Sequence, residues 1–347
     1  MGLNLEKITR ENVKVLQPYS SARDEYFSTR ENMIFLDANE NPNENGINRY
    51  PDPHQRNLKA VLAEQKGVSE NQILLGNGSD EVLDLLFRAF CEPHKDNIIS
   101  LPPTYGMYKV LAGTNAIENR KVLLTNDFQP DVEKILSVID ENSKLLFLCS
   151  PNNPTGNLIK ASKIIELLEK FNGLIVIDEA YIDFSQSESW IKQLESYPNL
   201  VVTQTLSKAY GMAAIRLGMC FASKDIIDVL KKIKPPYNIN ELTQQRALKG
   251  FLNQSKVLGN VADLVEDREI LNKELQKISY IEKVFPSEAN FLLVKVDNAT
   301  LRYKQLLDKG IVVRNLSSQA LCEETLRFTI GTGEENSKLL QTLKELE

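Results

Sequence analysis

Short apolar runs alternate with helical patterns through the middle of the chain. The runs KLLFLC (residues 144–149) and GLIVID (residues 173–178) are almost continuously apolar. Such continuity is typical of parallel strands, which are buried on both faces of a sheet. Strands are predicted at residues 72–75, 97–101, 117–123, 144–149, 173–178, 200–204 and 217–222. The alternation predicts an α/β protein with helices on both faces of a mostly parallel sheet.

Two of the intervening helices have recognisable start signals. Asp52 is a favourable N-cap residue and Pro53 suits the first helical position, so a helix is predicted from Pro53 to about residue 66. The turn GNGSD (residues 76–80) comes before a second helical pattern at residues 81–91.

The pattern changes after the sequence KPPY (residues 234–237). A long helical stretch with breaks is predicted at residues 241–279. A smaller α+β unit follows, with strands at 281–285, 290–294, 311–314 and 325–330, a helix at 300–309 and a final helix. We therefore divide the chain into an N-terminal arm (1–42), a large domain (43–245) and a small C-terminal domain (246–347). The arm is irregular and polar, and we expect it to pack on the small domain or on a partner subunit.

Composition narrows the class of protein. A chain of 347 residues is long for one compact core, so two domains are the default. The net charge of -6 gives no basic surface for nucleic acid. The apolar runs are strand-length and too short to span a bilayer. The N-terminal sequence lacks the apolar segment of a signal peptide, so we expect a cytoplasmic protein.

The cysteines and histidines do not indicate a metal site or a catalytic nucleophile. The four cysteines have no CxxC spacing and are expected to be reduced core thiols: Cys91, Cys149, Cys220 and Cys322. There are two histidines, His54 and His94, each beside a proline. A metal site or a histidine-based nucleophile therefore has little to draw on, and no metal is expected.

One segment, TLSKAYGMAAIR (residues 205–216), combines a lysine with phosphate-binding groups. The hydroxyls of Thr205 and Ser207 and the guanidinium of Arg216 can jointly hold a dianionic phosphate. Lys208 lies between them and can form an imine with an aldehyde carried on that phosphate. Pyridoxal phosphate is a molecule of this kind.

Polar residues follow three successive predicted strands. Ligands of open parallel sheets bind beyond the carboxyl ends of the strands, where Asn153, Asp178, Tyr181 and Lys208 are expected. Asp178 can pair with a protonated ring nitrogen and so make the ring an electron sink. Asn153 and Tyr181 can donate hydrogen bonds to the phenolate oxygen of the ring.

Two further segments complete the predicted cofactor site. Tyr105 can stack on the ring. Gly78 and Ser79 open a helix whose amides, with the Ser79 hydroxyl, suit a phosphate. Asp80 is an anion and fits that contact only through its backbone. Each residue alone has an ordinary structural explanation, such as a turn or a cap, but their joint occurrence in this order favours the cofactor site.

The order of the motifs NPTG (153–156), DEAY (178–181) and SK…R (207, 208 and 216) resembles that of the fold-type-I aminotransferases. The chain also resembles, over nearly its whole length, the histidinol-phosphate aminotransferase family. That narrower resemblance depends on PYSSAR (18–23), LDANENP (36–42), NRYPDP (48–53), GNGSDE (76–81), ANF (289–291), VVRN (312–315) and LRFTIG (326–331). The sequence AAI (213–215) departs from the Ala-Gly-Leu that the family often has there.

The resemblance implies a role for each matching position. Lys208 is the Schiff-base lysine, Asp178 the partner of the ring nitrogen, and Tyr105 the stacking ring. The cofactor-phosphate contacts fall on Ser79, the amide of Asp80, Thr205, Ser207 and Arg216, with Gly78 beside them. Tyr50 reaches the phosphate from a neighbouring subunit, which implies a homodimer. Arg314 and Arg327 hold the substrate phosphate, Asn153 also contacts substrate, and Tyr19 covers its imidazole end together with Tyr50.

The implied reaction transfers an amino group between L-histidinol phosphate and 2-oxoglutarate, giving imidazole-acetol phosphate and glutamate in histidine biosynthesis. Histidinol phosphate has a phosphate and no carboxylate, and a dianion invites two guanidinium groups. Three alternatives remain open: an aromatic amino-acid aminotransferase, a threonine-phosphate decarboxylase of the same fold, and a non-catalytic cofactor-binding regulator.

Overall fold

A seven-stranded sheet forms the centre of the molecule in a computed structural model that describes residues 3–20 and 33–347. Its strands are β1 (Ile73–Asn77), β2 (Asn97–Ser100), β3 (Glu118–Lys121), β4 (Ser143–Cys149), β5 (Leu174–Asp178), β6 (Leu200–Thr205) and β7 (Leu217–Ala222). Their order in the sheet is β1-β7-β6-β5-β4-β2-β3. Each of the strands predicted for the large domain is present.

The sheet is parallel except for one strand. The strands β2 to β6 pair in parallel, whereas β7 is antiparallel to both β1 and β6. Every residue of β4, β5, β6 and β7 is buried, which explains why these strands are apolar without alternation. The predicted α/β class with a mostly parallel sheet is confirmed.

Helices cover both faces of this sheet, and further helices lie in the C-terminal part of the chain. Those described are α1 (Leu5–Ile8), α2 (Glu11–Val15), α3 (Arg56–Lys66), α4 (Ser79–Phe90), α5 (Met107–Thr114), α6 (Val132–Ser137), α7 (Ala161–Lys170), α8 (Lys224–Ile233), α9 (Glu241–Leu252), α10 (Gln254–Leu275), α11 (Ala299–Asp308) and α12 (Gly333–Glu345). Alternate strand residues enter different core clusters: Leu146 packs with the α3 and α7 side, and Phe147 with the α4 and α5 side.

A second, smaller sheet lies in the C-terminal part of the chain. It consists of β8 (Ile281–Val284), β9 (Phe291–Val296), β10 (Arg314–Asn315) and β11 (Thr325–Thr329), in the order β10-β11-β9-β8. All its pairs are antiparallel, and it shares a core with α10, α11 and α12. This is the expected α+β unit, and the long helical stretch breaks at Asn253, between α9 and α10.

The predicted start of the first large-domain helix is wrong. The helix begins at Arg56, three residues after Pro53, because Gln55 adopts a left-handed conformation with φ of 51°. The Asp52 carboxylate accepts from the backbone N–H of His54 (3.0 Å) and of Arg56 (2.6 Å). The Asp52 side chain therefore caps a turn as well as the helix. This turn occupies residues 53–55, which the sequence pattern had predicted to be the first helical residues.

The described start of the arm packs on the large domain. Ile8 joins the core cluster that contains the buried face of α4, and the backbone N–H of Arg10 donates to the Ala89 carbonyl at 3.0 Å. Residues 21–23 of the PYSSAR motif lie outside the described residues. The division at 42 and at 245 stays a prediction, as does packing of the arm on the small domain or a partner. Ala247 and Phe251 of α9 pack in a large-domain core cluster.

The four cysteines are free and buried, as expected. Among the residues that the structure describes, no helix has both the length and the apolar composition that a membrane span requires.

The junction between β1 and α4 depends on a glycine in the neighbouring strand. A Cβ at Gly218 of β7 would overlap the backbone nitrogen of Ser79 and the carbonyl carbon of Gly78. We expect Gly218→Ala to lower the free energy of unfolding by about 1–3 kcal/mol, because the backbone of α4 has to shift. The matched control is Gly113→Ala, whose Cβ would meet no atom within 4 Å. Urea unfolding measures both, and equal stability of the two variants would contradict this account.

Candidate active site

A cavity of about 270 Å³ opens at the carboxyl ends of β4, β5 and β6. Most of the residues predicted from the sequence meet there. Its lining consists of Ser79, Asp80, Tyr105, Cys149, Asn153, Asp178, Ala180, Tyr181, Thr205, Ser207, Lys208, Arg216 and Arg327. The location follows the rule that open parallel sheets bind ligands beyond their carboxyl ends.

Asp178 is the last residue of β5, the central strand of the sheet, and is 3% exposed. Its Oδ2 accepts from the Tyr108 hydroxyl at 2.8 Å, and its Oδ1 accepts from the backbone N–H of Ala180 at 3.2 Å. Burial raises the pKa of the carboxyl, while the bond from Tyr108 opposes that rise. No basic side chain of the described residues forms an ion pair with Asp178. The site thus offers a buried acceptor suited to a cationic ligand atom.

Lys208 follows β6 and lies near the same cavity wall. Its Nζ is 5.6 Å from the centre of the Tyr181 ring. Partial burial and then the charge of Arg327 lower the pKa of Lys208, while Asp178 raises it. A lowered pKa increases the neutral amine fraction, which is the form that attacks a carbonyl.

The end of the cavity near α4 gathers hydrogen-bond donors. Gly78 is the N-cap of α4 with φ of 78°, and none of the described side chains caps this end. The free N–H groups of the first turn, the Ser79 hydroxyl and the helix dipole suit an anion. The Thr205 hydroxyl donates to Ser207 Oγ at 3.0 Å, and Arg216 lines the same end. These donors can together hold a phosphate dianion.

The Asp80 carboxylate connects Tyr105 to Arg216. Its Oδ1 accepts from the Tyr105 hydroxyl at 3.0 Å, and its Oδ2 lies 3.4 Å from Arg216 Nη2. Burial raises the pKa of Tyr105, so the phenol remains a donor. The prediction gave Asp80 only a backbone role; its side chain also orients two neighbours.

The other end of the cavity is lined by a residue of the smaller sheet. Arg327 of β11 donates through Nη1 to Asn153 Oδ1, and its buried Nε has no hydrogen-bond partner. Its guanidinium lies 5.0 Å from the centre of the Phe291 ring, which Tyr181 meets edge-on at 5.2 Å. Burial and then Arg314 lower the pKa of Arg327 from its ordinary value, whereas Tyr181 acts in the opposite direction. No carboxylate of the described residues forms an ion pair with this arginine.

Four predicted residues do not line the cavity: Gly78, whose place at the start of α4 is described above, and Arg314, Tyr50 and Tyr19. Arg314 is exposed on β10, directly opposite Arg327 on β11, and opposite residues of antiparallel strands share a face. Tyr50 is 50% exposed and stacks on Tyr237 with ring centres 4.6 Å apart. Tyr19 is 72% exposed and lines a different cavity beside Pro53.

The structure adds residues that sequence reasoning missed. Tyr108 holds Asp178, and Cys149, expected only as a core thiol, lines the cavity. Cys149 is the register partner of Asp178 in the neighbouring strand, so knowledge of the pairing of β4 with β5 would have placed it there. Nothing in the sequence around Tyr108 indicates its contact, because its partner is 70 residues away.

Comparison with known proteins agrees with this geometry. Residues 32–343 match the family model for aminotransferase class I and II. Over 345 residues the chain is 64% identical to a histidinol-phosphate aminotransferase of Flavobacterium johnsoniae, covering 99% of each chain. It is 60% identical over 344 residues to one of Christiangramia forsetii, covering 99% of this chain and 98% of the relative.

Solved structures agree as well. The histidinol-phosphate aminotransferase from Clostridium acetobutylicum superposes with a TM-score of 0.80 at 28% identity, covering 86% of this chain and 91% of that chain. The expected fold-type-I architecture is confirmed. The chain belongs to the aminotransferase class I and II family.

Proposed function

We propose that this protein is a histidinol-phosphate aminotransferase that uses pyridoxal 5'-phosphate and exchanges the amino group with 2-oxoglutarate. The observation that carries the proposal is the arrangement of the cavity. A lysine with a lowered pKa and a buried carboxylate lie between a cradle for one dianion and an arginine suited to a second anion. The relatives that share at least 60% identity support the same activity.

The residues present fit pyridoxal phosphate. Its phosphate would be held by the first turn of α4, Ser79, Thr205, Ser207 and Arg216. Glycine at position 78 leaves room for the Arg216 guanidinium, because a Cβ there would lie 2.5 Å from Arg216 Nη2. Bound pyridoxal phosphate supplies an aldehyde that takes the substrate amine and a cationic ring that withdraws electrons from the amine-bearing carbon.

Four side chains carry the proposed proton chemistry and its support. Lys208 Nζ would take the proton from the amine-bearing carbon of the substrate as a general base and would release it again as a general acid. Asp178 would hold the protonated ring nitrogen of the cofactor through its carboxylate. The Tyr181 hydroxyl would donate to the ring oxygen. Asn153 would do the same through Nδ2, since its Oδ1 is already bonded to Arg327.

The substrate end favours histidinol phosphate over amino acids. Arg327 has an unsatisfied Nε and no carboxylate partner among the described residues, so it is free to bind an anion. Arg314 lies opposite on the adjacent strand and can supply the second guanidinium that a phosphate dianion invites. An amino-acid carboxylate carries one charge and needs one arginine.

We also propose a cytoplasmic homodimer in which Tyr50 serves the site of the partner subunit, while Tyr19 covers the imidazole end of the substrate. Both side chains are half or more exposed and lie outside the cavity of their own chain. The resemblance in the NRYPDP and PYSSAR motifs gives Tyr50 the phosphate and Tyr19 the imidazole end.

A substrate comparison tests the proposed function. Purified protein with pyridoxal phosphate and 2-oxoglutarate should form glutamate with a higher kcat/KM for histidinol phosphate than for phenylalanine or tyrosine. The two-arginine end is the physical reason. Threonine phosphate should release no carbon dioxide. A clear preference for phenylalanine, or carbon dioxide release, would favour one of the alternatives.

Lys208→Ala tests the cofactor anchor. Borohydride reduction of the native protein followed by peptide mass spectrometry should find the cofactor on Lys208, and the variant should carry no reduced cofactor on any lysine. Glutamate formation should be lost because no other amine replaces Nζ. Lys170→Ala is the matched control, since Lys170 pairs with Glu166 on α7. Retention of both turnover and covalent cofactor by Lys208→Ala would refute the assignment.

Arg327→Gln tests the substrate-anion contact. We expect kcat/KM for histidinol phosphate to fall about 10- to 100-fold, as expected when a hydrogen bond between charged groups is lost. Histidinol, which lacks the phosphate, provides the control in the same assay. The kcat/KM for histidinol should change far less. An equal loss for histidinol and histidinol phosphate would mean that Arg327 acts by holding Asn153 and not by binding the substrate phosphate.

A further inference from the structure

The phenol of Tyr108 donates a hydrogen bond to Oδ2 of the Asp178 carboxylate at 2.8 Å. Tyr108 is fully buried and is the second residue of α5. It does not line the cavity, so it cannot contact a ligand there itself. Its effect on the site must act through Asp178.

Packing holds the Tyr108 ring in one position. The ring stacks on Phe147 with centres 4.6 Å apart and planes 16° from parallel. Phe147 stacks in turn on Phe87 at 5.4 Å. Tyr105 meets the Tyr108 ring edge-on at 5.6 Å. A ring packed on these neighbours keeps its hydroxyl directed at Asp178.

The bond from Tyr108 complements the backbone bond on the other oxygen. Tyr108 takes one acceptor position of Oδ2, and the Ala180 N–H takes one of Oδ1. Two bonds to different oxygens fix the plane of the carboxylate. Each oxygen keeps a second acceptor position for a ligand atom.

The chemical type of the donor is also significant. Burial raises the pKa of Tyr108, so the phenol stays protonated and neutral. A neutral donor stabilises the ionised carboxylate without cancelling its charge. A lysine or arginine at this place would form an ion pair with Asp178 and compete with the cationic ring nitrogen. The other ionisable groups around Asp178 are Asp80, Tyr105, Cys149, Tyr181 and Lys208.

We propose that Tyr108 is a positioning residue that holds Asp178 in the orientation required to bind the ring nitrogen of pyridoxal phosphate. This inference rests on the proposed cofactor and not on the identity of the amino donor. The proposal gives a functional role to a side chain that is buried in the core.

The test compares Tyr108→Phe with Tyr280→Phe. Each substitution removes one buried hydroxyl and keeps the ring; the Tyr280 hydroxyl donates to the Leu343 carbonyl at 2.8 Å in the small domain. In Tyr108→Phe the dissociation constant for pyridoxal phosphate should rise about 10- to 100-fold, the range for a hydrogen bond to a charged group. At saturating cofactor, kcat should fall while KM for histidinol phosphate stays close to the native value. Tyr280→Phe should change neither.

A double-mutant cycle identifies the route of the effect. If Tyr108 acts through Asp178, Tyr108→Phe should weaken cofactor binding no further in the Asp178→Asn background. Equal effects of Tyr108→Phe in both backgrounds would overturn the proposal. Unchanged affinity and kcat would also overturn it, as would failure of Tyr108→Phe to fold while Tyr280→Phe folds. A native protein that binds no pyridoxal phosphate would instead refute the proposed function.

Discussion

The buried carboxylate of Asp178 is the constraint on which the rest of the site depends. A charge removed from water is costly unless other groups stabilise it. Among the described residues, hydrogen-bond donors and no paired cation stabilise the Asp178 carboxylate. The phenol of Tyr108 and one backbone amide lower the cost without neutralising the charge. A cationic ring nitrogen of the ligand would supply the positive charge that pairs with this carboxylate. The unpaired carboxylate therefore favours binding of a cationic ring.

The fold gives the two anionic groups of the proposed complex separate ends of one cavity. The end for the cofactor phosphate is formed by the large domain, where the start of α4 lies beside the segment after β6. The end for the substrate anion depends on Arg327, which comes from the small domain and reaches Asn153 of the large domain. The proposed substrate end therefore needs both parts of the chain, and its arginine contacts Asn153, which the proposal also assigns to the cofactor.

The sequence was informative where one physical signal dominated. Continuous apolarity identified the strands because parallel strands are buried on both faces, and the residues after those strands identified Asn153, Asp178 and Lys208. The start of α3 was misplaced because Asp52 caps a turn and a helix together. Tyr108 was missed because its contact with Asp178 exists only after the sheet has formed. Strand order, which makes β5 central, is likewise absent from the local pattern.

The most direct measurement of the central claim is the free energy of unfolding of native protein and Asp178→Asn, each with and without pyridoxal phosphate. Without cofactor, the variant should be as stable as the native protein or more stable, because a neutral amide costs less to bury than an unpaired carboxylate. With cofactor, the native protein should gain more stability than the variant, since the ligand binds it more tightly. The account would be contradicted if Asp178→Asn destabilised the cofactor-free protein by about 3 kcal/mol or more and left the gain from cofactor unchanged.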